Sequence, residues 1–157
     1  MGKVTPWLSF KDNAEDAMNF YLSVFKNSKA GFVSRYPEGG PVMPGQVMVA
    51  EFELEGQKIM ALNGLDCKFT EAFSFSISCQ DQEEVDYFWE KLIADGGEES
   101  QCGWLKDKFG LSWQVVPSVM GQLMNQKDPE KAKRAMAAMM KMKKIIIKDI
   151  EDALEGK

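Results

Sequence analysis

A shift of 68 residues lays the first part of this chain on its middle, superposing Asn13 on Asp81, Glu15 on Glu83, Ala17 on Val85 and Phe20-Tyr21 on Phe88-Trp89. An internal repeat constrains a fold more than any local propensity, because each copy must build the same unit. In the first copy the apolar run from Val4 to Phe10 reads as a strand. Ala17, Phe20, Tyr21, Val24 and Phe25 then recur at helical spacing, with Asn13 as the expected N-cap and Glu15 and Asp16 in the favourable first turn. Strands follow at 31–36, 46–54 and 58–62, with the Pro/Gly-rich stretch 37–45 as a loop and Glu55-Gly56-Gln57 as a hairpin turn.

The order then begins again. Residues 73–78 alternate strictly, placing Phe73, Phe75 and Ile77 on one face and Ser74, Ser76 and Ser78 on the other. Asp81 can cap a second helix whose apolar stripe is Val85, Phe88, Trp89, Leu92 and Ile93, ended by Gly96-Gly97. Two weaker strands, 101–106 and 111–116, close the copy at Pro117. From Ser118 the pattern is helical and rich in methionine. Asp128-Pro129-Glu130 starts a long helix, and Ile145-Ile146-Ile147 is too apolar for a free tail, so it should dock on the domain or on a partner chain.

Histidine is absent from all 157 residues. That removes the commonest general base near neutral pH and the commonest metal ligand, so Ser-His-Asp and Cys-His nucleophiles and His-Glu-x-x-His zinc sites are excluded. The net charge of −5 is uneven: acidic residues dominate the body, while 127–148 is a basic run. An acidic body is a poor surface for phosphate backbones, and no apolar run is long enough to span a membrane, so neither nucleic acid nor membrane is expected as a partner. Three cysteines without a C-x-x-C pair suit a reducing compartment, and nothing at the N-terminus reads as a signal peptide. A cytoplasmic protein is expected.

Asn13-Ala14-Glu15-Asp16-Ala17-Met18-Asn19-Phe20-Tyr21 within a duplicated strand–helix–strands unit resembles the vicinal oxygen chelate superfamily of glyoxalases, extradiol dioxygenases and fosfomycin- and bleomycin-resistance proteins. Residues 81–86, the run Cys102-Gly103-Trp104-Leu105-Lys106-Asp107-Lys108-Phe109-Gly110-Leu111-Ser112-Trp113-Gln114 and the Met-rich tail resemble its PhnB-like branch, whose members often carry the label of a demethylubiquinone methyltransferase. The resemblance implies an α+β fold. Two βαβββ modules (1–66 and 67–117) would form curled mixed sheets around a shared cleft in a single glyoxalase-like domain, followed by a helical extension at 118–157. It also implies four cleft-facing positions that often bind a divalent metal. Counting from Phe20 and Phe88, and from Gly56 and Gly110, puts them at Pro6, Ser74, Met60 and Gln114. Proline cannot ligate through its side chain, methionine is soft and serine weak for such an ion, so no metal and no other cofactor is expected.

The ligand-lining set expected in the cleft is Pro6, Leu8, Met60, Ser74, Ser76, Trp104, Ser112 and Gln114. Gln114 either recognises a polar ligand or bonds the neighbouring serines and only knits the sheet. Glu51 lies mid-strand between Ala50 and Phe52, where it is either a cleft base or an ion-pair partner of Lys58. Trp104 either covers a ligand or packs at an edge. No glycine-rich loop opens a helix after a strand, which weighs against an S-adenosylmethionine site. The expectation is a metal-independent small-molecule-binding protein, working as a homodimer. The alternative is an isomerase or lyase using Glu51 with Gln114 as polariser.

Overall fold

The computed structural model describes residues 2–40 and 42–157, so Pro41 of the expected 37–45 loop lies outside the described residues. The chain divides into two compact units, 1–68 and 69–157. The first runs β1 (Trp7–Phe10), α1 (Ala14–Val24), β2 (Ser28–Arg35), β3 (Val47–Leu54) and β4 (Gln57–Asn63). The second repeats the order with β5 (Ser74–Cys79), α2 (Gln82–Ile93), β6 (Glu98–Glu99), β7 (Trp104–Lys106) and β8 (Ser112–Pro117). Both are βαβββ modules. Each makes one open, four-stranded mixed sheet, in the orders β1-β4-β3-β2 and β5-β8-β7-β6, with the first strand parallel to the last and the rest antiparallel.

Alternation decides the faces. In module one Ala50, Phe52, Leu54, Ile59 and Ala61 turn towards α1, where the Tyr21 ring stacks on Phe52 at 6.2 Å. In module two Ile77, Leu105, Trp113 and Val115 turn towards α2 and its buried Val85, Phe88, Trp89 and Leu92. Asp81 caps α2 as expected, its Oδ1 accepting from the Glu84 N–H at 2.9 Å. Asn13 does not cap α1. The Ala14 N–H instead donates to Oδ1 of Asn63, a buried residue at the end of β4, 49 positions away.

The extension belongs to the second unit and is helical as expected, in three helices: α3 (Met120–Met124), α4 (Pro129–Met139) and α5 (Ile147–Leu154). Asp128 caps α4 through the Glu130 N–H. Ala135, Ile145 and Ile150 form a small core, with Met120, Leu123, Met124, Met139, Met142 and Leu154 packed on it. Residues 142–147 strap this bundle to the module. The Cys102 and Gly103 N–H groups donate to the carbonyls of Met142 and Lys143, and the Gln82 amide both donates to Ile145 O and accepts from Ile147 N at 2.9 Å. Gly103 makes room for the strap: at φ +84° a Cβ there would meet Val115 O at 3.0 Å and Ile145 Cγ1 at 3.1 Å. Among the described residues no helix is long and apolar enough to cross a membrane.

Candidate functional site

The sheet face of module two that turns away from α2 carries most of the polar residues expected to bind. Pairing across β7, β8 and β5 makes one row of Trp104, Gln114 and Ser76, and a second of Lys106, Ser112 and Ser74. The Gln114 Nε2 donates to Ser74 Oγ at 3.0 Å, bridging the rows diagonally. Ser112 is buried and its hydroxyl has no partner, which costs about 1–3 kcal/mol for a hydroxyl kept from water. Trp104 is a strand residue, half-buried beside Gln114. Lys106 is held by Glu71 at 2.5 Å. That hydrogen bond pushes the ammonium above its ordinary range and holds the Glu71 carboxyl below its own.

Behind this face a single carboxylate fixes the β7–β8 turn. Asp107 is buried and accepts from the Phe109 and Leu111 N–H groups and from the Trp113 indole at 2.9 Å. Charge-assisted bonds of this kind lock the strand that carries Gln114. Sequence reasoning missed Asp107. The signal was available in Asp107-Lys108-Phe109-Gly110, where an aspartate two residues before a turn centre favours an Asx turn.

In module one the matching face runs through Trp7, Met60 and Glu51, which lie side by side on β1, β4 and β3. Here the expected lining needs correction. Leu8 pairs with Ala61 and is 2% exposed on the α1 face, whereas Trp7, 51% exposed, neighbours Met60. Pro6 precedes β1 and has the same parity as Leu8, and its carbonyl accepts the Met60 N–H. The cause is the β1–α1 connection, Lys11-Asp12-Asn13, which is one residue longer than Gln80-Asp81 between β5 and α2. A count anchored on the helix therefore arrives one residue off on β1, and a one-residue slip changes faces. Glu51 takes the ion-pair role: its Oε2 meets Lys58 Nζ at 3.0 Å, and its carboxylate lies over Gly31, where a Cβ would approach Oε1 to 2.8 Å.

The sequence model of one family, described as 3-demethylubiquinone-9 3-methyltransferase, matches residues 2–116. The PhnB protein of Bacillus cereus is 38% identical, with a TM-score of 0.69, over 74% of this chain and 99% of that one. The chain belongs to this PhnB-like family. Lower identities show the same fold in PA1353 from Pseudomonas aeruginosa (17% identity, TM-score 0.62, 74% of this chain and 98% of that one). The fosfomycin resistance protein FosX of Listeria monocytogenes shows it too (17%, 0.52, 78% and 94%), which makes the fold that of the vicinal oxygen chelate superfamily. No curated protein matches the chain. The family match stops at 116, so the helical extension of this PhnB-like chain lies beyond it.

The Listeria FosX structure contains Mn(II). In this PhnB-like chain the two rows of module two present an indole, hydroxyls, one amide and an ammonium held by Glu71. The row of module one presents an indole, a thioether and a Glu51 carboxylate already paired with Lys58; neither set fits a hard divalent cation. Among the described residues no group of three or more His, Cys, Asp or Glu is placed to hold a metal. The two strand-to-helix turns, Lys11-Asp12-Asn13 and Gln80-Asp81, contain no glycine, so neither brings backbone N–H groups up to a nucleotide or methyl-donor cofactor in the way a Gly-rich turn does. Cys79 is no nucleophile in waiting: burial pushes its thiol up to about 12.

Proposed function

We propose that this chain is a metal-independent small-molecule-binding protein, a homodimer in a reducing compartment, that recognises its ligand on its open sheet faces. The observation that carries the reading is the row Trp104–Gln114–Ser76: an aromatic flank, a primary amide and a hydroxyl converge on one solvent-facing patch. Such a combination of apolar surface with few, placed polar groups is what small-molecule sites use. With one hydrogen given to Ser74, the Gln114 amide retains an N–H and a carbonyl oxygen for a ligand. Glu51 is paired with Lys58, which favours a structural role for it over that of a base.

Elemental analysis of protein purified without chelator, joined to calorimetry, tests this reading. The expected result is far less than one equivalent of manganese, iron, nickel or zinc, and no micromolar binding of S-adenosylmethionine. Stoichiometric metal would sink the metal-independent reading. Micromolar S-adenosylmethionine binding would return the family's methyltransferase description to this chain. Light scattering on the eluting peak checks the dimer.

A further inference from the structure

The two rows of module two contain a single cation, and it is not available. Lys106 closes the second row beside Ser112, and its ammonium is taken by Glu71, which lies three residues before β5 on the Ser74 side of the patch. On β7, β8 and β5 the other groups of the rows are uncharged, three hydroxyls, one amide and one indole, and on β6 Glu98 pairs with Lys106 as a second carboxylate at the rim. Three strands spaced about 4.8 Å apart and two rows about 7 Å apart offer room for one or two fused rings. Trp104 supplies a ring to stack against, and Gln114 supplies a donor and an acceptor side by side. An anionic ligand would have to displace Glu71 from Lys106 and would otherwise lie among carbonyl and hydroxyl oxygens with a carboxylate at the rim.

We propose that Glu71 sets the charge of the ligand: by occupying Lys106 it makes the module-two face selective for an uncharged planar ring with a donor and an acceptor on its edge. This rests on the reading of that face as the ligand site. Glu71 is exposed and outside every strand and helix, so it is a specificity residue that can be changed without touching the core.

The test uses matched pairs that differ only in charge, nicotinamide with nicotinate and benzamide with benzoate. Each is titrated into the full chain and into Glu71→Gln, following the Gln114 side-chain amide and the Trp104 indole N–H by NMR. In the parent chain the amides should bind at least ~10-fold more tightly than the carboxylates, as expected where like charges meet. Glu71→Gln should shrink or reverse that ratio, and adding Lys106→Met should abolish the gain. Equal binding of both pair members, or a ratio unchanged in Glu71→Gln, overturns charge selection and leaves the ligand face standing. If no probe moves either resonance in any variant, the ligand-face reading itself falls and takes this inference with it.

Discussion

Module one places Met60, itself buried, at the centre of the face turned away from α1, between Trp7 and Glu51, whereas module two places Gln114 at the matching position, between Ser76 and Trp104. The strand pairing is the same in both, so the duplication preserved where side chains point while the chemistry diverged. One face became mainly apolar with an ion pair at its side, and the other became polar with an aromatic flank. The helix starts diverged as well. The first residue of α1, Ala14, is satisfied from within its own module by Asn63, while the first residue of α2, Gln82, reaches out to hold the strap of the extension. A repeat thus predicts geometry well and chemistry poorly.

The largest expected effect tests the face assignment of β1. Leu8→Ala removes a buried side chain from the α1 side and should lower unfolding stability by about 2–5 kcal/mol. Trp7→Ala removes a half-exposed ring from the open face and should cost about 1 kcal/mol or less despite the larger deletion. Urea denaturation of both variants checks this. The reverse ranking would mean that β1 presents its other face, and the comparison with module two would have to be redrawn one residue along.

A middle-sized effect isolates what only module two has. Gln82→Leu deletes both bonds of the amide clamp and leaves the Ile145 carbonyl and the Ile147 N–H without it, at about 1–3 kcal/mol. Amide exchange should accelerate at Cys102 and Gly103, whose N–H groups are tied to the strap, and stay unchanged at Ala14. Acceleration at both helix starts would show that the clamp serves global stability rather than the extension.

The parts that were legible in the sequence are those decided by local pattern. The strict alternation of 73–78 predicted the faces of β5, and Asp81 just before the apolar helical stripe predicted the α2 cap. The Gln114–Ser74 bond follows from the same alternation. What was illegible depends on long-range pairing or on a single inserted residue. The slip on β1 arises from one extra residue in a connection, which no periodicity reveals. Asn63 caps α1 from 49 residues away, so the local candidate Asn13 looked sufficient. β6 is two residues long, too short to alternate. The helical pattern of the extension and its start at Asp128 were legible, but nothing in the composition marks where that helix ends, at Met139, before Ile145 seats against Gly103.

The smallest expected effect concerns acid. Asp86 lies on α2 where the repeat places Met18 on α1, and Met18 is buried and uncharged, so only module two carries a titrating group at this position. The hydrogen bond from Lys144, at 2.7 Å, holds the Asp86 carboxyl below its ordinary value of 3.8. A depressed folded-state value contributes stability that is present above 3.8 and is lost as pH falls through the folded value. Both partners are partly exposed, so the contribution is about 1 kcal/mol or less. Lowering the pH from 5 to 2.5 should therefore speed exchange at the Cys102 and Gly103 amides more than the intrinsic rate change accounts for, with no such excess at Ala14. Lys144→Met should remove the excess by removing the partner. If that variant retains it, the acid sensitivity of the strap has another origin, and the two modules differ less in their response to pH than their helices suggest.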